Sequence, residues 1–230
     1  MKKIIYTLAI IFCLVETAFA QFADVQLHYA MGSYKRGDKT IRRDYFKTRF
    51  EMLNRDSIGT YYWSIDLDYN APNKSISLSQ TQIFHSIRIA KYKPIQPAVG
   101  HGGISGRSSY FFVGIHTPFS IGRVKFLPLL LYAYNKDAKK PDARLTIAYA
   151  TRLLKNRISI FGFANTWTND KVSTVDGSVS GKIVGWQLRP QVWFNMTRKL
   201  AIGTELDFSK NLYTLNKPVF LGSIGTKWGF

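Results

Sequence analysis

The last residues of the chain, Val219 to Phe230, read V-F-L-G-S-I-G-T-K-W-G-F, and they constrain the fold more than any other stretch. Counting back in twos from the end gives Phe230, Trp228, Thr226, Ile224, Gly222 and Phe220. Between them stand Gly229, Lys227, Gly225, Ser223 and Leu221. Successive side chains of a strand point to opposite faces, so one face here is apolar and aromatic while the other carries small groups and one lysine. The chain is therefore expected to end on a strand whose two sides meet unlike surroundings.

The other end carries an export signal. Met1-Lys2-Lys3 is basic, Ile4 to Val15 is apolar, and Ala18-Phe19-Ala20 is a small-x-small cleavage site before Gln21. Residues 1–20 thus read as a cleaved secretory signal peptide, with an apolar core too short to span a membrane. The single cysteine, Cys13, lies inside it behind the bulky Phe12, unlike the cysteine of a lipoprotein cleavage site. Residues 21–230 hold no cysteine, which excludes disulfide, thiolate–metal and cysteine-nucleophile chemistry.

Residues 21–230 are enough for one domain. None of their stretches is apolar over the ~20 residues a spanning helix needs; the longest candidate, Phe126 to Tyr134, is short and contains Pro128. The formal net charge is +18, and +17 without Lys2, Lys3 and Glu16. Export and the scatter of the basic residues argue against nucleic acid as the partner. Acidic lipid headgroups, or an anionic solute in a lumen, fit better, and solvated loops and rims account for most of the lysines.

Twelve strand-like segments recur with turn signals between them: Val25–Gly32, Asp44–Leu53, Thr60–Tyr69, Leu78–Ile89, Ile95–Gly103, Tyr110–Thr117, Val124–Tyr134, Arg144–Leu154, Ile158–Trp167, Ile183–Phe194, Leu200–Phe208 and Phe220–Phe230. Most approach the ~9–11 residues of a tilted membrane strand. Alternate connections are tight: Asn54-Arg55-Asp56, Lys155-Asn156-Arg157 and Asn195 to Lys199. Those between are longer and polar: Tyr34–Thr40, Ala71–Ser77, Asn135–Asp142, Thr168–Lys182 and Ser209–Pro218. Short turns at one end and longer loops at the other are the habit of outer-membrane barrels. An even strand number puts both termini at the short-turn, periplasmic end; ten strands remain an alternative to twelve.

Several segments sort into two faces. Tyr61, Trp63, Ile65, Leu67 and Tyr69 oppose Tyr62, Ser64, Asp66 and Asp68. Phe46, Thr48, Phe50 and Met52 oppose Tyr45, Lys47, Arg49 and Glu51. Val184, Trp186, Leu188, Val192 and Phe194 oppose Gly185, Gln187, Arg189, Gln191 and Trp193. Leu200, Ile202, Thr204, Leu206 and Phe208 oppose Ala201, Gly203, Glu205 and Asp207. Alternation alone allows either polarity, because a soluble lipocalin-like barrel would put the apolar rows, Trp63, Trp186 and Trp228 among them, inside.

The ending with its terminal Phe resembles the C-terminal strand of bacterial outer-membrane β-barrels. That resemblance and the signal peptide turn the apolar rows outward, since Arg or Lys facing lipid at the midplane costs ~2–4 kcal/mol. Aromatics near strand ends, such as Tyr61, Tyr69, Tyr132, Tyr134, Phe194, Phe208, Trp228 and Phe230, fit interfacial girdles. The stretches V-Q-L-H-Y (Val25–Tyr29), R-D-Y-F-K-T-R-F-E-M (Arg43–Met52), Y-Y-W-S-I-D-L-D-Y (Tyr61–Tyr69) and the final G-T-K-W-G-F resemble an uncharacterised family of bacterial outer-membrane proteins related to the Tsx-like nucleoside-specific channels. The resemblance covers most of the chain after the signal and implies a twelve-stranded barrel. It carries no solute-binding residue over to this chain.

A catalytic or metal site in such a fold needs its residues on one shared face. His85 and Ser86 are adjacent, so they face opposite ways and cannot form a relay. Asp66 and Asp68 share a face, but Lys47 and Arg49 on the neighbouring segment make charge pairing the better reading than acid–base work or cation binding. Gly100 to Gly106 lacks phosphate-loop spacing and does not lead into a helix; a flexible loop or a strand bend explains it. No metal-ligand cluster is present in the sequence.

The expectation is an all-β, transmembrane antiparallel barrel in the cell outer membrane, not an enzyme and without cofactor or metal. It would act as a channel or facilitator for small polar solutes, with a nucleoside-like solute as the narrower expectation. The alternative is a structural or surface-interaction barrel whose lumen is closed by salt bridges. The residues expected along the lumen are Lys47, Arg49, Glu51, Asp66, Asp68, Arg189, Glu205, Asp207 and Lys227, with Tyr45, Tyr62 and Trp193 as lumen aromatics. Trp228 and Phe230 are expected to carry the barrel-assembly signal. The expected partners are outer-membrane lipid, the barrel-assembly machinery and a small solute, with no nucleic acid.

Overall fold

The computed structural model describes residues 22–55, 57–70, 75–89, 94–105, 109–135, 141–172, 179–212 and 216–230. The expected signal peptide lies outside these residues, as does Asp56. Twelve strands form the wall: β1 Phe22–Met31, β2 Tyr45–Arg55, β3 Gly59–Asn70, β4 Ser75–Ile87, β5 Gln96–Ile104, β6 Ser109–His116, β7 Val124–Asn135, β8 Asp142–Leu153, β9 Ile158–Val172, β10 Val179–Asn195, β11 Leu200–Lys210 and β12 Pro218–Gly229. Each is antiparallel to the next, and β12 pairs back onto β1, so the sheet closes on itself. No helix occurs among the described residues. The chain is an all-β, closed, twelve-stranded antiparallel barrel.

Closure leaves no wall strand with an unpaired edge, which is what a sheet needs where no water is at hand to satisfy its backbone. The last strand performs that closure. Trp228 stands opposite Val25 and Ile224 opposite Tyr29, and the Phe230 amide donates to the Ala23 carbonyl at 3.0 Å.

The apolar rows face outward. Phe46, Trp186, Val192, Ile202, Phe220, Ile224 and Trp228 are all exposed, whereas Lys47, Arg49, Arg189, Glu205 and Asp207 are buried. The lipocalin-like arrangement is thereby excluded: Trp228 is 46% exposed, and Glu205 only 2%. Exposed aromatics collect towards both ends of the wall. Phe194, Trp228 and Phe230 mark the end of the tight turns, and Phe111, Tyr132, Tyr134 and Phe220 the end of the longer connections.

Several aromatic rings lie over cross-strand glycines. A Cβ on Gly100 would come 2.3 Å from the Phe112 ring, on Gly102 2.4 Å from Tyr110, on Gly203 2.7 Å from Trp193, and on Gly225 3.0 Å from His28. Each of these glycines stands directly opposite its ring in the register. The glycine face gives the ring a flat seat, and the ring covers backbone that glycine leaves bare.

Three expectations need correction. Gly100 and Gly102 lie within strand β5, where the fifth segment was expected, and are explained by the rings above them rather than by a bend or a flexible loop. Tyr34–Thr40 falls in a short hairpin, Ser33–Arg36 against Lys39–Arg42, with Gly37 at φ 62° between its strands. Most of the described part of Thr168–Lys182 continues the β9–β10 ladder, with Asn169 opposite Ile183 and Val172 opposite Val179. Both segments are polar on each face, so period-two alternation does not mark them as strands.

Candidate lumen site

The interior is divided in two. Strands β10 to β3, running through β11, β12, β1 and β2, carry the network around Glu205. Strands β4 to β7 carry an apolar cluster of Phe84, Ala98, Phe112, Leu129, Leu131 and Ala133, with Tyr62 and Tyr110 packed against it. That cluster was not read from the sequence, because β7 is apolar on both faces: Leu129, Leu131 and Ala133 face in while Leu130, Tyr132 and Tyr134 face out.

Glu205 is the centre of the charged half. One carboxylate oxygen accepts from Lys47 Nζ and from Arg189 Nη2 at 2.8 Å. The other accepts from Arg49 Nη1 at 2.6 Å and from Gln191 Nε2 at 2.7 Å. Arg49 also grips Asp66 with two nitrogens, Nε at 2.5 Å and Nη2 at 3.0 Å. Arg189 reaches the same carboxylate, 3.7 Å from Asp66 Oδ2, although their strands, β10 and β3, are five steps apart around the wall. The network is therefore a chord across the barrel as well as a wall lining. Charges taken from water need such partners, because a buried ion left alone is strongly unfavourable.

The remaining residues expected in the lumen also face inward. Lys47 is in register with Asp68, and Asp68 accepts from the Tyr45 hydroxyl at 3.0 Å. Asp207 accepts from Gln187 at 2.9 Å. Glu51 accepts from the Tyr62 hydroxyl at 2.8 Å, and Tyr62 stacks on Phe84. Lys227 lies 3.9 Å from Asp24 and over the rings of Phe161 and Trp193, 4.4 and 4.9 Å from their centroids. Trp193 is fully buried and donates to Gln191 Oε1 at 2.9 Å. Trp228 and Phe230 are outward and exposed.

Sequence reasoning missed the inward row of β1: Asp24, Gln26 and His28. Gln26 Nε2 donates to Asp24 at 2.9 Å and to Glu51 at 3.3 Å. Its carbonyl oxygen must then accept from His28 Nε2 at 2.9 Å, leaving His28 Nδ1 to accept from the Ser223 hydroxyl at 3.1 Å. The signal was present in V-Q-L-H-Y, where polar Gln26 and His28 alternate with Val25, Leu27 and Tyr29. The inward face of β9, with Phe161, Phe163 and Trp167 half-buried, was missed as well.

A serine–histidine pair does share one space, although its members stand on different strands. Ser86 Oγ lies 3.0 Å from His116 Nδ1 and 2.8 Å from Gln96 Oε1. The partner is thirty residues away on β6, while His85 turns outward against Tyr61. Gln96 Oε1 can only accept, so the Ser86 hydroxyl donates to it and accepts from His116 Nδ1–H. In that tautomer the imidazole is not a base towards the serine. All three side chains are fully buried, so the trio works as a polar plug between β4, β5 and β6.

Comparison with known proteins places this geometry. A family model described as domain of unknown function DUF5020 matches residues 20–230. No curated protein matches the chain by sequence. Among solved structures it resembles the KdgM porin in complex with disordered oligogalacturonate, at 10% identity and TM-score 0.53, covering 91% of this chain and 99% of that one. It also resembles the NanC porin at 11% identity and TM-score 0.57, covering 90% and 98%. A third likeness is to the COG4313 outer membrane channel from Pseudomonas putida F1, at 8% identity and TM-score 0.53, covering 92% and 96%. At such identities the likeness is one of fold.

Proposed function

The chain belongs to the DUF5020 family, and from that premise we propose that it is an outer-membrane channel for small polar solutes rather than an enzyme. The observation that carries the reading is a closed barrel with an apolar exterior and a hydrogen-bonded charged network inside, in a fold shared with porins and an outer-membrane channel. The tight turns and both termini lie on the periplasmic side in this reading.

Strand β8 supplies room for a path. Its inward row between Arg144 and Arg152 consists of Thr146, Ala148 and Ala150, and it stands opposite the Lys47–Arg49 strand in the strand order. A solute passing there meets short side chains on one side, the Glu205 network on the other, and the half-buried rings of Phe161, Phe163 and Trp167 beside it. Fixed charges in such a passage orient a polar solute. A nucleoside-like solute is the narrower form of the reading, along with kinship to nucleoside-specific channels. It draws on inward aromatics able to stack on a flat ring. Of the three aromatics first expected to serve, Trp193 is fully buried and Tyr62 already stacks on Phe84, so Tyr45 and the β9 rings are the ones in question.

The second reading is a barrel closed by its own side chains, and the apolar cluster on β4–β7 favours it. Conductance decides between them. Purified protein in a planar bilayer should give stepwise channel currents, whereas a closed barrel would insert without conducting.

A further inference from the structure

The turn end of the barrel carries a ring of cations beyond the Glu205 network. Arg55 ends β2, Arg88 follows β4, Lys125 begins β7, Arg152 lies near the end of β8, Arg157 precedes β9, and Lys199 precedes β11. Each falls on the inward parity of its strand. Arg55 is in register with buried Thr60, and Arg152 with buried Ser159. The Asn195 amide donates to the Arg157 carbonyl at 2.8 Å, which sets Arg157 beside inward Asn195, itself bonded to Ser159. Lys125 alternates with inward Leu129 and Leu131, Lys199 with inward Ala201, and Arg88 with inward Phe84 and Ser86. Arg88 is half-buried and the others are exposed. The ring therefore borders the opening rather than the lipid belt.

Carboxylates are arranged differently. Among the described residues, the acids nearest this end are Asp24 and Glu51, both inside and engaged by Gln26, Lys227 and Tyr62. Asp56 lies outside the described residues.

We propose that this opening is an anion-binding mouth, which gathers the carboxylate or phosphate groups of a solute at the turn end of the channel. Cations distributed around a low-dielectric opening focus their field on its axis and raise the local concentration of anions. The transport role rests on the channel reading, whereas binding of the anion does not.

The test compares wild type with the Arg55→Gln, Arg152→Gln, Arg157→Gln, Lys199→Gln variant, both checked for heat-dependent gel migration. In a potassium chloride gradient near 0.1 M, where screening reaches about 10 Å, wild type should prefer chloride and the variant should lose that preference while still conducting. Conduction with cation preference in wild type, or unchanged selectivity in the variant, overturns the proposal and leaves the channel standing. Tripolyphosphate binding to the detergent-solubilised barrel is measured by calorimetry in parallel. Wild type should bind in a salt-sensitive way and the variant at least about tenfold more weakly. Equal binding by both overturns the mouth. Absent conductance with that tenfold loss supports the mouth and sinks the channel. Repeating the titration in nanodiscs with and without phosphatidylglycerol identifies the source of the anion: competition by the lipid means that a headgroup occupies the same site.

Discussion

Glu205 takes four donors, from Lys47, Arg49, Arg189 and Gln191, on its two oxygens. Glu205→Gln keeps the shape but removes the charge, so three buried cations lose their shared counter-ion. Removing one partner of a buried ion pair costs about 3–5 kcal/mol, and a loss in that range is expected in a urea titration followed by gel migration. An unchanged midpoint would mean that the cations relax into water and that the lumen is wet at this point. Arg189 and Lys227 belong to the same interior field. Replacing both with Gln makes the lumen less positive and should shift the reversal potential toward cations while the barrel still folds. Unchanged selectivity would remove these two residues from the path. Part of this was legible in the sequence: Arg49 and Asp66 fall into register once β2 and β3 form a hairpin. The Arg189–Asp66 contact was not, because its strands meet only through the curvature of the closed wall.

Single elements differ in what they tolerate. β12 both closes the barrel and ends its outward aromatic row, with Trp228 and Phe230 exposed and the Phe230 amide bonded to β1. Deleting Phe230, or changing it to Lys, should reduce the amount of folded barrel in membranes, measured as the heat-modifiable band. Equal abundance would show the terminal Phe to be dispensable. β5 depends on small residues instead. A Cβ on Gly100 would meet the Ile83 carbonyl oxygen at 2.3 Å, and backbone cannot step aside as a flexible side chain can. Gly100→Val is expected to lower stability by about 1–3 kcal/mol, through overpacking between β4 and β6. The sequence marked β5 as a strand, but the purpose of its glycines appeared only when Phe112 and Tyr110 were seen to lie on them.

The barrel wall turns an apolar outer face to its surroundings and buries the Glu205 charges within, an arrangement suited to hydrocarbon around it. Expressed with its signal, the protein should fractionate with the outer membrane and migrate differently on gels before and after boiling. Recovery as a soluble periplasmic monomer without detergent would contradict this placement. The divided interior, charged on one half and apolar on the other, makes the free cross-section depend on the short β8 row. Bulky substitution there, Ala148→Trp, should cut single-channel conductance severalfold if β8 borders the path, and leave it unchanged if solute passes elsewhere.

By itself the sequence determined the barrel class, the neighbour-to-neighbour order of the strands and the two faces of β2, β3, β10, β11 and β12, while ten strands stayed open beside twelve. These follow from local rules: a strand alternates its side chains every second residue, and tight turns force neighbours to pair antiparallel. The terminal segment V-F-L-G-S-I-G-T-K-W-G-F, with an aromatic row reaching its last residue, is the clearest case. Only the tertiary structure decided what meets across the barrel. The Glu205 hub, the His28–Gln26–Glu51 chain, the Ser86–His116 pair and the inward cluster on β7 join residues far apart in sequence. Such contacts are set by the closure of twelve strands and the length of each side chain, and neither is encoded in the period of any one strand.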